Sequence, residues 1–209
     1  IKNCSLTCEN HIELKILVES LGMIYLCSAF SKEAIDKLVE MNVKAFKIGS
    51  GECNNTPLVE YICQFNKPII MSTGMNNIDN IRKSVSILRK YNIPYVLLEC
   101  TSMYPTPYRY VGLNNIKLLK NEFPDAIIGL SDHSIGIYTS LGSISLGAKI
   151  IEKHFKSDEK WSGPDMILSI TPHELKELIK GANAIFEATT TKNKTIFEEE
   201  KDIIKFAYA

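Results

Sequence analysis

Two histidines stand at the ends of apolar runs, where an imidazole can serve as a metal ligand. His133 follows the run Ala126–Leu130, and His154 ends the run Lys149–His154. Consecutive runs of an α/β chain tend to form neighbouring strands, so both rings can reach one divalent ion, with water or substrate oxygens in the other positions. Two histidines without a CxxC or HExxH motif are a weak metal signature, so two structural histidines without a metal are the alternative.

A carboxylate precedes the second histidine on the same side of its predicted strand. Period-two alternation places Ile150, Glu152 and His154 on one face. Glu152 is therefore placed to accept a hydrogen bond from the ring of His154 or to help hold the cation.

A lysine within an otherwise apolar run is a candidate anion ligand. Lys47 lies in the run Ala45–Ile48, and burial of its ammonium is unfavourable unless an anion meets it. Ser50, Ser72 and Ser131 follow or end predicted strands. Their hydroxyls would form a phosphate or carboxylate site together with the ammonium. The alternative is that the lysine side chain extends to the surface.

Other residues near the ends of predicted strands give weaker signals. Glu52 is either a ligand for a substrate hydroxyl or an acid at a helix end. Tyr104 begins the proline-rich segment 104–108, which forms either a wall against a sugar or a stiff turn. Asp165 offers a carboxylate on a tight turn. Cys100 follows an apolar run with no base beside it and is assigned to the core.

These residues stand on a chain that alternates predicted strands and helices. Six runs recur at intervals of roughly 20 to 30 residues, the length of one β–loop–α unit. They are Met23–Cys27, Ala45–Ile48, Pro68–Ser72, Tyr95–Cys100, Ala126–Leu130 and Lys149–His154. Helical spacing is found in the segments 12–21, 31–39, 78–88 and 175–179.

The pattern of polar residues favours a barrel over an open sheet. They follow nearly every run, as in a (β/α)8 barrel, and no GxGxxG follows the first run. Six strands are two short of eight. We therefore predict an α/β fold that is an incomplete (β/α)8 TIM barrel without its first two strands.

Composition excludes several classes of function. The 209 residues carry 24 basic and 24 acidic side chains, so the chain lacks the cationic excess of non-specific nucleic-acid or membrane binders. No apolar run is long enough to predict a membrane span. The six scattered cysteines indicate reduced thiols and a cytoplasmic protein.

Several segments together resemble the N-acetylneuraminate (sialic acid) synthase family. They are Lys47–Leu58, Lys67–Met75, Glu99–Tyr108, Ile127–Gly136, Ala148–Phe155 and Gly163–Asp165, in order over nearly the whole chain. The GSGECNN form of the first is most similar to bacterial members. The resemblance implies a synthase that condenses phosphoenolpyruvate with N-acetylmannosamine to give N-acetylneuraminate and phosphate. A related legionaminate-type nonulosonate synthase, or an inactive sugar- or phosphate-binding barrel, is the alternative.

The resemblance also implies a cofactor and a set of site residues. The cofactor is a divalent cation, Mn²⁺ with Mg²⁺ or Co²⁺ as alternatives, and its implied ligands are His133 and His154. The implied substrate contacts are Lys47, Ser50, Ser72 and Ser131 for phosphoenolpyruvate, Tyr104 for the amino sugar, and Ser28 and Ser102 at positions where relatives carry other polar residues. The implied catalytic carboxylates are Glu52, Glu152 and Asp165, of which Glu52 and Asp165 also face the sugar. Glu152 or Asp165 would handle protons.

The resemblance finally implies a domain organisation. Residues 1–187 are expected to form a partial TIM-barrel catalytic domain, and residues 188–209 a linker towards a missing C-terminal antifreeze-like domain. Members of the family dimerise by domain exchange, so the expected macromolecular partner of the full-length protein is a second copy, with no nucleic acid and no membrane. Because the first two strands and an arginine of that domain belong to the site, the 209 residues alone are expected to be weakly active or inactive.

Overall fold

Five parallel strands, joined by helices, form one sheet. The computed structural model describes residues 6–191 and 193–208. The strands are β1 (Phe46–Ile48), β2 (Ile69–Ser72), β3 (Tyr95–Cys100), β4 (Ile127–Asp132) and β5 (Ile150–Lys153). The helices are α1 (Cys8–Ser20), α2 (Lys32–Glu40), α3 (Thr56–Cys63), α4 (Ile78–Lys90), α5 (Asn115–Glu122), α6 (Tyr138–Ser145), α7 (Pro172–Ala188) and α8 (Lys201–Ala207). The strands pair in chain order, each parallel to the next.

The sheet is strongly curled, as an ion pair between its two outer strands shows. In a flat sheet with a strand spacing of about 4.8 Å, β1 and β5 would lie roughly 19 Å apart. Lys47 Nζ on β1 nevertheless lies 3.4 Å from Glu152 Oε1 on β5. The side chains meet because the sheet bends towards a barrel. The structure thus confirms a parallel, barrel-like α/β fold and shows a half-barrel of five strands.

The first of the six predicted strands is wrong. Residues 23–27 form no strand, and Ser28 makes only an isolated parallel bridge to Lys47 of β1. Because β1 has only three residues, a neighbouring segment can form only a short ladder of backbone hydrogen bonds with it. Tyr25 is buried, but the side chains of Met23, Ile24 and Leu26 stay exposed, so the run buries only part of its apolar surface.

The hydrophobic core lies between the convex face of the sheet and the helices. The strands contribute Phe46, Ile48, Ile69, Met71 and Leu97, all fully buried. The helices contribute Ile35, Val59, Ile62, Val85, Leu88, Ile116 and Leu119. Burial of each large apolar side chain stabilises the fold by about 1.5–3 kcal/mol. The residues that alternate with these along each strand face the concave side.

The four helical segments predicted from spacing are confirmed as α1, α2, α4 and α7. Each begins at a side chain that accepts a hydrogen bond from a backbone N–H of the first turn: Thr7, Ser31, Asn77 and Thr171. Helices α3, α5 and α6 were not predicted, because their eight residues hold only two turns of pattern. Within the described part of the chain, none of the helices combines the length and apolar character that a bilayer crossing requires.

The C-terminal segment contains more helix than predicted. Helix α7 ends at Ala188, where the predicted linker begins, but a 3-10 turn at Glu198–Glu200 leads into α8. Most side chains of this segment are exposed, while residues 192 and 209 lie outside the described residues. The assignment of 188–209 as a linker stays a prediction.

Candidate functional site

A cavity of about 520 Å³ opens on the concave face at the carboxyl ends of the strands. Of the twelve predicted site residues, ten line it: Ser28, Lys47, Ser50, Ser72, Ser102, Tyr104, Ser131, His133, Glu152 and His154. Ser28 precedes β1, and the others lie on β1, β2, β4 and β5 or directly after a strand. The curled parallel sheet therefore brings together side chains up to 126 residues apart in the sequence.

Lys47 carries a buried ammonium at the base of this cavity. The residue is 7% exposed, which excludes the alternative of a side chain extended to the surface. Its Nζ donates to Ser72 Oγ at 2.7 Å and to the carbonyl oxygen of Ile48 at 3.2 Å. The carboxylate of Glu152 lies 3.4 Å away, and the Ser72 hydroxyl donates to its other oxygen at 3.4 Å. The ammonium, the hydroxyl and the carboxylate thus form one triangle.

Further hydroxyl groups surround the ammonium. Ser50 Oγ accepts from the backbone N–H of Gly74 at 3.1 Å. A Cβ at Gly74 would come within 2.8 Å of Ser50 Oγ and 2.5 Å of Ser102 Oγ, so a larger residue would displace these hydroxyl groups. Ser131 is buried on β4 and pairs in register with Glu152 on β5. This set of hydroxyl and amide groups beside an ammonium can bind a small anion.

The two predicted metal ligands come together at the rim of the cavity. His133 and His154 are the first residues beyond β4 and β5, and their ring centroids are 5.3 Å apart. His133 Nδ1 lies 3.0 Å from the carbonyl oxygen of Thr101. A carbonyl can only accept, so Nδ1 carries the proton and Nε2 keeps a free lone pair. This is the tautomer that a metal ligand needs.

The protonation of the two rings is set by their surroundings. Burial lowers the pKa of His154, and the neighbouring His133 adds to this effect. Burial also opposes the charged form of His133, but the Cys100 thiol and the Thr101 carbonyl outweigh it and raise the pKa of that ring.

The donor set fits a divalent cation held by two imidazoles. Among residues 6–191 and 193–208, no group of three or more His, Cys, Asp or Glu side chains could hold a metal. The other positions would therefore be filled by water or substrate oxygens, which suit Mn²⁺ and Mg²⁺.

Tyr104, in the loop after β3, lines the cavity. Its ring centroid lies 4.3 Å from that of His133 and 5.9 Å from that of His154. The residue is 52% exposed, so one face of the ring is available to a ligand. The peptide between Tyr104 and Pro105 is cis.

Two predicted carboxylates do not line the cavity. Glu52 lies in a 3-10 turn, and its Oε2 accepts from Asn55 Nδ2 at 2.6 Å. Asn55 is the N-cap of α3, so the position of Glu52 agrees with the alternative of an acid at a helix end. Asp165 lies beyond the lining. Burial is the main cause that raises the pKa of Tyr104, and the negative charge of Asp165 adds to it; the same charge opposes the lowering of the His154 pKa by burial. Their catalytic roles stay predictions.

Sequence reasoning missed two groups that contact the ring of His133. Cys100 is buried as predicted, but its Sγ lines the cavity, 3.4 Å from Ser50 Oγ and 3.8 Å from His133 Nδ1. Its register partner on β4 is Ser131, so period-two alternation could have placed it on the concave face. The second group is the backbone carbonyl of Thr101, for which a sequence gives no signal.

A second cavity of about 460 Å³ adjoins the first and contains Glu99. Glu99 is 7% exposed, and its Oε1 accepts from Asn115 Nδ2 at 3.0 Å. Burial raises the pKa of this carboxyl to about 7, although the hydrogen bond from Asn115 acts in the opposite direction. The carboxyl group therefore titrates near neutral pH.

We expect Glu99→Gln to stabilise the protein above neutral pH. The folded state holds the Glu99 proton more tightly than the unfolded chain, in which the carboxyl group has its ordinary pKa of 4.5. The free energy of unfolding of the wild type therefore falls as pH rises from 4.5 to about 7. Glutamine does not titrate, so above pH 7 the free energy of unfolding of the variant should exceed that of the wild type by up to a few kcal/mol. Urea unfolding at low and high pH measures this effect, and Glu13→Gln on the exposed helix α1 is the control. If the free energy of unfolding depends on pH equally in the wild type and in Glu99→Gln, the prediction is contradicted.

Comparisons with known proteins show which proteins the chain is similar to. The model of the NeuB family matches residues 1–194. Over 183 residues the chain is 39% identical to N,N'-diacetyllegionaminic acid synthase of Campylobacter jejuni, covering 85% of this chain and 54% of that protein. Over 188 residues it is 34% identical to human N-acetylneuraminate-9-phosphate synthase, covering 90% of this chain and 52% of that protein.

A solved structure is similar in fold to this chain. The sialic acid synthetase of Leptospira borgpetersenii matches with a TM-score of 0.92 at 28% identity, covering 100% of this chain and 73% of that one. The chain spans about half the length of the two curated relatives it matches. Because the family model covers residues 1–194 of 209, the chain belongs to the NeuB family.

Proposed function

We propose that the protein is an N-acetylneuraminate synthase, which condenses phosphoenolpyruvate with N-acetylmannosamine. The observation that carries the proposal is one cavity lined both by a buried ammonium with hydroxyl groups and by two adjacent imidazoles. An anion site and a cation site within one cavity suit the joining of a phosphorylated enol to an aldehyde sugar. The relatives named above are synthases of sialic or legionaminic acids.

Lys47 would anchor phosphoenolpyruvate through its carboxylate or phosphate. Its ammonium is held in place by Ser72 and Glu152, so it is oriented before the substrate arrives. Ser50 and Ser131 supply further hydroxyl groups in the same cavity. A charge-assisted hydrogen bond from a buried ammonium is stronger than one in water.

The two imidazoles would hold a divalent cation, Mn²⁺ by preference, with Mg²⁺ or Co²⁺ as alternatives. When bound, the cation supplies Lewis-acid polarisation of the aldehyde oxygen of the open-chain sugar. The hydrogen bond to Thr101 keeps Nε2 of His133 available as a donor. Tyr104, which packs on both rings, would exclude water from one side and contact the sugar.

Glu152 would handle charge and a proton during the reaction. C3 of phosphoenolpyruvate bonds to C1 of the sugar, and positive charge develops at C2. Water then bonds to C2, and one of its protons passes to the Glu152 carboxylate. The C2–phosphate oxygen bond then breaks, the remaining hydroxyl proton leaves with inorganic phosphate, and C2 becomes a carbonyl carbon. The proton on Glu152 is finally delivered to the former aldehyde oxygen. Glu152 lines the cavity beside Lys47, where a carboxylate stabilises a developing cation.

A second candidate is a synthase for a legionaminate-type sugar. The 39% identity to the Campylobacter jejuni N,N'-diacetyllegionaminic acid synthase favours it. The two candidates differ in the amino sugar, which carries one acetamido group in the first case and two in the second. The anion and cation sites are the same for both.

The test is an assay of the gene product that carries this chain, with phosphoenolpyruvate, Mn²⁺ and each of the two amino sugars. Released phosphate and the mass of the sugar acid are measured. We expect phosphate release with N-acetylmannosamine that chelation of the metal abolishes. A preference for the diacetamido sugar would establish the second candidate, and no phosphate release with either sugar would leave an inactive binding barrel.

A further inference from the structure

A buried ion pair lies directly behind the two imidazoles. Asp132 and Lys153 are the last register partners of β4 and β5. Lys153 Nζ lies 3.2 Å from Asp132 Oδ2, and the two side chains are 4% and 0% exposed. His133 and His154 are the next residue on each strand. Side chains alternate along a strand, so the ion pair faces the convex side while the imidazoles face the cavity.

The ion pair is embedded in a hydrogen-bond network. Asp132 Oδ2 accepts from Thr139 Oγ1 at 2.7 Å and from Ser140 Oγ at 2.6 Å, both in the first turn of α6. Asp132 Oδ1 accepts from the backbone N–H of Ser134 at 2.8 Å. Lys153 Nζ donates to the carbonyl oxygen of Ser134. The residues on both sides of His133 are therefore fixed from behind.

Strand register decides which way each imidazole faces. A shift of β5 by one residue along β4 would turn every side chain of β5 to the opposite face. His154 would then point towards the helices, and only His133 would remain in the cavity. Asp132 and Lys153 form the final pair of the ladder, at the end where backbone pairing no longer holds the strands together.

We propose that the Asp132–Lys153 ion pair is a positioning device that fixes the exits of β4 and β5 so that both imidazoles face one cavity. Neither residue is among those that line the cavity around the imidazoles, so both act through His133 and His154. The choice of Mn²⁺ as a probe rests on the proposed function, whereas the geometry of the rings does not.

The energetics of buried ion pairs allow this role to be separated from stability. Removal of one partner leaves an uncompensated buried charge and destabilises the fold strongly, whereas replacement of both by neutral groups is often close to neutral. Asp132→Asn retains one acceptor oxygen for the backbone N–H of Ser134, and its Nδ2 can donate to the hydroxyl oxygens of α6. Lys153→Met retains the length of the side chain. The double variant therefore removes the ion pair without leaving a buried charge.

The experiment compares the wild type, each single variant, the double variant and Leu88→Ala. Leu88 is fully buried on α4 and lies outside the cavity, so its truncation is a control for general destabilisation. Mn²⁺ affinity is measured by electron paramagnetic resonance, and the tautomers and environments of the histidine rings by long-range ¹H–¹⁵N NMR without metal. All measurements are made below the unfolding temperature of each variant.

We expect the double variant to unfold near the wild-type temperature, to bind Mn²⁺ about tenfold more weakly, and to show shifted ring signals for His133 and His154. Leu88→Ala should unfold earlier but retain Mn²⁺ affinity and ring signals. Wild-type affinity and ring signals in the double variant would overturn the inference, as would an equal loss in Leu88→Ala. If the wild type binds no Mn²⁺, the proposed cation site fails, and the ring signals alone decide the inference.

Discussion

Replacement of either His133 or His154 with alanine is expected to abolish Mn²⁺-dependent turnover, with a loss on the order of a thousandfold or more. The two rings lie 5.3 Å apart between centroids, and the described residues offer no third His, Cys, Asp or Glu side chain to complete a metal-binding group. Loss of one imidazole would leave a single protein donor for the cation. Lewis-acid stabilisation is worth several kcal/mol, and each 1.36 kcal/mol is tenfold in rate.

Direct binding measurements separate this effect from other causes of inactivity. Electron paramagnetic resonance should show weak Mn²⁺ binding by both alanine variants. His173→Ala is the matched control, since His173 is an exposed histidine in the first turn of α7, and it should bind Mn²⁺ like the wild type. Wild-type Mn²⁺ affinity in both His133→Ala and His154→Ala would disprove the assignment of these rings as ligands.

The extent to which sequence predicts this site depends on what positions each residue. Alternation along β5 places Glu152 and His154 on one face, and both line the cavity as predicted. This succeeds because the period of a strand is fixed by its backbone geometry. The contact between Lys47 and Glu152 could not be predicted, because it depends on the curl of a five-stranded sheet.

The errors also have physical causes. An apolar run at residues 23–27 resembles a strand, but pairing depends on the length and burial offered by its neighbour, and β1 is short. Glu52 follows a strand as a catalytic acid would, yet its carboxylate bonds to Asn55 at the end of α3. Local hydrogen bonds of this kind compete with a ligand for the same side chain. The carbonyl of Thr101 sets the tautomer of His133. It belongs to the backbone, so the residue type at this position does not predict the contact.

Lys47→Met is expected to lower kcat/KM for phosphoenolpyruvate by roughly a hundredfold to a thousandfold, in the range seen when one preorganised donor is removed. Methionine fills a similar volume but has no charge. The variant loses the ammonium that would bind the substrate anion, and Glu152 then presents an uncompensated carboxylate to that anion. Most of the effect should therefore appear in KM for phosphoenolpyruvate, with little change in KM for the amino sugar.

Glu152→Gln distinguishes the two members of this ion pair. The amide removes the counterion of Lys47 without removing the ammonium, so KM for phosphoenolpyruvate should stay equal or fall, while kcat falls because no carboxylate receives the proton. Lys83→Met, at an exposed lysine on α4, is the control and should match the wild type in both constants. Steady-state kinetics with each substrate varied in turn measures the separate effects on kcat and on each KM. A rise in KM confined to the amino sugar in Lys47→Met would show that the ammonium binds the sugar instead of the enol phosphate.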